Sequence, residues 1–289
     1  MSVSAPILVC PDAPELLGRL GGFKVVLRVQ GAERIPGAVR EAAEAGVHLH
    51  CLVVQSRAPL SDLPVREDWG AVPLALEVPE VGRVRDFVLR RPALMKLNAR
   101  VYLPASLPGN YTGARILSSL GIPVTVSFGG GTVDWDLLGD LATYALFGLV
   151  RHAPIEPFTF LAERYQPGQR TDFAAVYFDD PARFLHLDAG GRVFITRRDQ
   201  KLGRELAGDI FDLGAPGENP EYLRRTEAWR ETFLEPQGCA WCEGWRICLG
   251  KFSATSADGG CRRFFTDLLS SVEQRQSLKA PQKQEPWQP

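Results

Sequence analysis

Along residues 1–165, short runs of apolar and β-branched residues alternate with longer stretches in which apolar positions recur every three or four residues. Side chains repeat every two positions along a strand and every 3.6 along a helix, so the first kind of run predicts strands and the second helices. Strands are expected over 24–29, 47–54, 72–78, 94–103 and 123–128, with 158–161 as a sixth. Helices are expected over 36–45, 81–91, 112–120 and 135–150, each opening near a capping-type residue, a proline or a post-strand turn. Strands alternating with helices in this way predict an α/β fold with a mainly parallel sheet, read here as a barrel or partial barrel.

From Gln166-Pro-Gly168 the texture changes to irregular chain, one hairpin and loops, which places a domain boundary there. The hairpin pairs 183–187 with 192–197 around Asp188-Ala-Gly190-Gly191, whose glycines supply the positive φ angles of a tight turn. A helix is expected over 220–233 and another over 262–276. The remainder, rich in Pro, Gln and Lys, reads as a disordered tail. The chain thus divides into a barrel-like part, 1–165, a small loop-rich module, 166–276, and a tail, 277–289, with no internal repeat.

At 289 residues, 45% hydrophobic and 23% charged, the chain can bury a sizeable core. A net charge of -1 and no long basic run argue against nucleic acid as the main partner, because phosphate binding leans on clustered Lys and Arg. No stretch approaches the ~20 apolar residues of a membrane span. Met1-Ser-Val-Ser-Ala-Pro6 lacks the charged start and apolar core of a secretion signal. A cytoplasmic protein with no membrane partner is expected, and there clustered cysteines read as metal ligands before disulfides.

Four of the six cysteines are so clustered: Cys239, Cys242 and Cys248 in a C-x2-C-x5-C block, and Cys261 beyond it. Spacers of two and five residues force three sulfurs into one small volume, as a metal or cluster requires. Thiolates hold both zinc and iron-sulfur clusters. Zinc ribbons usually pair two tight C-x2-C knuckles, whereas only the first pair is tight here, a layout that suits a cubic cluster better; zinc remains the alternative and a disulfide a distant third. Trp241 and Trp245 interleave the cysteines, with Arg246 and Lys251 close by. Such groups would limit solvent access to a cluster and raise its potential, or simply pack a small module.

The run Phe184-Leu-His-Leu-Asp-Ala-Gly-Gly191-Arg-Val-Phe-Ile-Thr196, then Leu206-Ala-Gly-Asp-Ile-Phe-Asp212, then the cysteine block, resembles the SPASM extension of radical SAM peptide-modifying enzymes, over about the last third of the chain. The resemblance implies that Cys239, Cys242, Cys248 and Cys261 hold the family's distal auxiliary 4Fe-4S cluster. It also implies that the first auxiliary cluster is missing. Thr196 and Phe252 stand where that cluster's cysteines would be, and no cysteine lies between Arg170 and Arg183. The C-x3-C-x2-C motif of the SAM-cleaving cluster is absent too, with only Cys10 and Cys51 upstream. The likeness is to a degenerate, or pseudo, radical SAM protein with a partial (β/α)6 TIM-like barrel and one surviving cluster.

Other candidates have plainer readings. Gly129-Gly-Gly131 fits neither a dinucleotide nor a P-loop fingerprint and reads as a turn capped by Thr132 or Asp134. His48 and His50 share one face of a predicted strand, beside Cys51 on the other, and read as a hydrogen-bonded pair at the barrel mouth or its rim. His152 and His186 have no identifiable partners, and no nucleophile elbow is present.

The resemblance implies a protein that does not cleave SAM, more a pseudoenzyme than an enzyme, and no catalytic constellation is visible in the sequence. It would serve as an accessory in peptide modification, binding a precursor peptide or a genuine radical SAM enzyme and relaying electrons. The alternatives are a true enzyme with an unrecognised active site at the barrel mouth, and a zinc-stabilised four-cysteine binding module.

Overall fold

The computed structural model describes residues 5–66, 69, 72–128, 131–167, 169, 171–214, 216–227, 239–249 and 259–279. Seven strands cross one sheet in chain order: β1 (Ile7–Pro11), β2 (Lys24–Gln30), β3 (His48–Gln55), β4 (Leu74–Glu77), β5 (Ala99–Pro104), β6 (Val124–Ser127) and β7 (Ile155–Glu156). Each is parallel to its neighbour. On the far side of β1, β8 (Phe184–Leu187) pairs parallel with it and β9 (Val193–Phe194) turns back antiparallel. The hairpin expected around Asp188 therefore forms and extends the same sheet, to nine strands in the order β7-β6-β5-β4-β3-β2-β1-β8-β9.

Successive strand residues point to opposite faces, and the two faces here bury different things. Leu8, Leu27, Leu52, Leu76, Val101 and Val124 point one way, into the main core. There they meet helices α1 (Pro14–Arg19), α2 (Ile35–Glu44), α3 (Val84–Lys96), α4 (Gly109–Ser119), α5 (Trp135–Phe147) and α6 (Phe158–Arg164), through residues such as Leu17, Ala38, Phe87, Leu117, Leu141 and Phe158. Val9, Val26, Cys51, Val53, Ala75, Tyr102 and Phe184 point the other way into a smaller core, packed by Tyr177 and Phe178. Among the described residues the helices of the β1–β7 connections contribute to the first core and not to the second, which leaves polar strand positions on the second face to build a site.

The second half adds α7 (Arg197–Lys201), α8 (Pro220–Thr226), α9 (Trp245–Cys248) and the closing helix α10 (Gly260–Lys279). The closing helix docks on α5 and α6. Phe264 and Phe265 meet the Trp135 ring at 5.5 and 6.1 Å, and Gln276 Nε2 donates to the carbonyls of Ala162 and Tyr165 at 3.2 and 2.8 Å.

Several expectations are corrected. β1 and α1 were not expected, since a five-residue strand that follows Pro6 and ends on Pro11 gives little signal. The strand predicted from 94 begins at Ala99, because α3 continues through Pro92 to Lys96. Phe158 to Leu161 is the start of α6, not a strand. The strand precedes it as β7, and the Glu156 carboxylate accepts the Phe160 N–H at 2.7 Å, satisfying a donor of the first helical turn. α5 stops at Phe147, before Gly148. α8 ends at Thr226, and the rest of the helix expected to 233 lies almost wholly outside the described residues. Residues 277–279, assigned to the tail, belong to α10, and 280–289 lie outside the described residues. No helix among the described residues is long and apolar enough to cross a membrane.

Candidate functional site

The cysteine block folds as consecutive tight turns. Cys239–Trp241 form one 3-10 turn, Cys242 N–H donates to Cys239 O at 3.1 Å, and Trp245 N–H donates to Cys242 O at 3.0 Å. One turn of α9 follows and ends at Leu249, whose N–H returns to Trp245 O at 2.9 Å and whose left-handed φ of 54° turns the chain out of the helix. Cys261 is the second residue of α10, and its neighbour Arg262 reaches Trp241 O at 3.5 Å. Thr171 N–H donates to Arg246 O at 3.2 Å, tying the block to the chain that covers the sheet's second face. The cysteine turns thus pack, through Trp241 and Gly244, against the first turns of α10.

Cys248 is buried, and Cys239, Cys242 and Cys261 are half-buried; none of the six cysteines, all among the described residues, forms a disulfide. One buried and three half-buried cysteines, none in a disulfide, are the donor set a zinc ion or iron-sulfur cluster takes. Among the described residues no three Cys, His, Asp or Glu side chains are grouped to hold a metal ion. The donor chemistry fits, while the side chains do not stand as a closed shell. Trp241, expected to shield the site, is 81% exposed, whereas Trp245 is half-buried. Lys251 and Phe252 lie outside the described residues.

The other two cysteines are elsewhere. Cys10 faces the helix-side core and Cys51 the opposite core, each less than a tenth exposed. Burial pushes both thiols up to about 12, helped for Cys10 by the Asp12 charge. Neither is ready to become a thiolate ligand. Thr196, standing where the family has a cysteine, accepts the Asp199 N–H at 3.1 Å and caps α7. Gly191 takes φ of 88° in the hairpin turn, as expected.

The histidine pair is corrected. A bulge between Val25 and Val26 of β2 leaves His50 without a partner in the register, and both His48 and His50 are exposed at the amino end of β3. Partial burial, then the charges of Arg183 and Lys24, push the His50 imidazolium down. Gly129 and Gly130 lie outside the described residues; Asp134 caps α5 as expected, accepting the Leu137 N–H at 3.0 Å.

What sequence reading missed lies at the carboxyl ends of β1, β2 and β3, where a cavity of about 540 Å³ opens between the sheet and α7. Residues Gln30, Gln55 and Glu77 lie side by side in register across three strands. Gln30 Nε2 donates to Gln55 Oε1 at 2.5 Å and Gln55 Nε2 to Glu77 Oε2 at 2.6 Å. Glu77 also faces two guanidinium groups, Arg197 at 3.5 Å and Arg28 at 3.9 Å. Arg34 Nε donates to Asp12 Oδ2 at 2.7 Å and its Nη2 lies 3.1 Å from Glu41. Burial pushes Arg28 below its ordinary value, with Glu77 and Asp179 opposing. Asp179 in turn accepts the Arg197 N–H at 2.8 Å, and buried His186 brings Nε2 to 2.9 Å of the same oxygen without the alignment of a hydrogen bond. The available signal was a polar residue closing each apolar strand: Arg28 and Gln30, Gln55, and Glu77.

No family model matches the chain, and no curated protein matches it.

Proposed function

We propose that this chain is a radical-SAM-like iron-sulfur protein that does not cleave SAM and acts as an accessory in peptide modification, with one 4Fe-4S cluster held by Cys239, Cys242, Cys248 and Cys261. The observation that carries the reading is the packing of the Cys239-to-Cys248 turns against the helix that bears Cys261, which gathers a C-x2-C-x5-C block and its distant fourth cysteine into one substructure. In this reading the sheet, covered by the helices between its strands on one face, is a partial (β/α) barrel of TIM-like kind, and the block with the Asp188 hairpin is a SPASM-like module. A cluster with four cysteine ligands has no open iron, which suits electron relay or structural support more than direct chemistry. The peptide connection comes from the family resemblance.

The cavity at the strand ends favours a second reading, an enzyme with its site at the barrel mouth, because sites in α/β proteins gather at the carboxyl ends of parallel strands. The third, a zinc-stabilised four-cysteine module, differs from the first in metal content. The accessory role is tested by reconstituting an intact radical SAM enzyme encoded nearby with its precursor peptide. Modification should depend on this protein and be lost with Cys242→Ala. Equal modification without the protein would refute the role.

A further inference from the structure

The cavity between the ends of β1–β3 and α7 carries its own chemistry, built from no residue of the cysteine-bearing turns. Of the charged side chains that line it, four are cations, Arg28, Arg34, Arg197 and Lys201, and one is a carboxylate, Asp12. The remaining carboxylates stand behind these cations. Glu41 braces Arg34, and Glu77 is shared at 3.5 and 3.9 Å by Arg197 and Arg28. Arg28 is the costly member: its side chain is only 15% exposed, Glu77 is loosely placed at 3.9 Å and shared, and although Asp179 adds its charge from further off, burial outweighs both and leaves the guanidinium under-compensated. A guanidinium fork fixed from behind presents its other N–H groups forward, the arrangement that recognises phosphate and carboxylate.

A second observation points the same way with opposite polarity. The Asp12 side chain is 9% exposed, and while Arg34 takes its Oδ2, its Oδ1 has no hydrogen-bond partner among the described residues. Asp12 lines the cavity, and its Oδ1, closed to solvent and without a donor among the described residues, is completed when a ligand group displaces what covers it.

We propose that this cavity binds a small molecule carrying a multiply charged oxyanion, a phosphate ester or a dicarboxylate, together with a hydroxyl or amine. The oxyanion lies against Arg28, Arg197 and Lys201, and the hydroxyl or amine donates to Asp12 Oδ1. Three cations match more than one negative charge, and the volume suits a ligand of sugar-phosphate size. This holds whether or not the cysteines carry a cluster.

The experiment measures the thermal midpoint of the full chain with inorganic phosphate, glycerol 3-phosphate and malate, each against chloride at equal ionic strength, followed by calorimetric titration. At least one oxyanion should raise the midpoint saturably, as a ligand that binds only the folded state must. Phosphate probes acting alone would identify a phosphate ester, and malate alone a dicarboxylate. Lys201→Gln and Arg197→Gln should each weaken binding about tenfold. Lys201 is exposed, so its substitution should leave the unliganded midpoint unchanged. Asp12→Asn should remove the preference for glycerol 3-phosphate over inorganic phosphate. If none of the probes stabilises the protein saturably, or if Lys201→Gln and Arg197→Gln bind as the parent does, the charges are a structural network and the proposal fails. A preference that survives in a folded Asp12→Asn variant removes the donor part of it.

Discussion

Gly244 and Phe265 pack so closely that a Cβ on the glycine would stand 2.4 Å from the Phe265 Cβ and 2.8 Å from its carbonyl carbon. Gly244 has φ of -63°, open to any residue, so the requirement is for space and not for backbone freedom. It lies between Cys242 and Cys248, and Phe265 lies one helical turn after Cys261. This contact sets how near the cysteine turns come to the closing helix. Gly244→Ala should therefore cost about 1–3 kcal/mol, the range for overpacking a tight contact, and reduce bound iron in the same preparation. Gly139→Ala, in α5 with no atom within 4 Å of the added methyl, should instead stabilise by about 0.5–1 kcal/mol. Thermal denaturation and iron analysis of the two variants check both signs.

The cysteines should divide four against two. Cys239→Ala, Cys242→Ala, Cys248→Ala and Cys261→Ala should each deplete iron and loosen the chain around the block, because ligand binding and folding of a small loop-rich module are one process. Cys10→Ala and Cys51→Ala should leave iron content unchanged, since both thiols pack as small apolar groups. If Cys51→Ala depleted iron as Cys242→Ala does while Cys261→Ala left it intact, the fourth ligand would be misassigned.

Alkaline pH should act through the same two buried thiols. Each has an ordinary value of 9.0 and is raised to about 12 in the folded chain, so the unfolded chain loses its protons first. The stabilising difference is complete below pH 9 and drains away as pH rises from 9 to about 12. At pH 8 Cys10 and Cys51 should be alkylated at least about a hundredfold more slowly in the native than in the denatured protein, where opening no longer limits access. Labelling followed by peptide mass spectrometry reads this; equal rates would contradict their placement.

The strands legible in the sequence were those with long β-branched runs, such as Lys24–Gln30 and His48–Gln55, whose two buried faces need continuous apolar residues. Phe158 to Leu161 misled because four apolar-rich residues fit a strand or a helix equally, and the Glu156 carboxylate that supports the helix start reads as an ordinary acid in sequence. The cysteine site was legible because its spacing is local. The cavity was not, because Asp12, Arg28, Gln55, Glu77 and Arg197 come from separate elements and meet only through strand register. The unpartnered register position of His50 was not legible either, because a bulge is a property of two strands together.

No reductive cleavage of SAM should occur. Three cysteines are needed for a site-differentiated cluster, and before the block the chain has Cys10 and Cys51 alone, one on each face of the sheet. After reconstitution and with a strong reductant, 5'-deoxyadenosine should stay at background; its accumulation would refute the reading.

The most direct test of the central claim is the metal and sulfide content of protein purified without exposure to air. Four cysteine ligands of the observed spacing predict about four irons and four sulfides per chain, with a broad absorbance near ~400 nm. Stoichiometric zinc without iron would contradict the account and leave a structural zinc site with four cysteine ligands in its place.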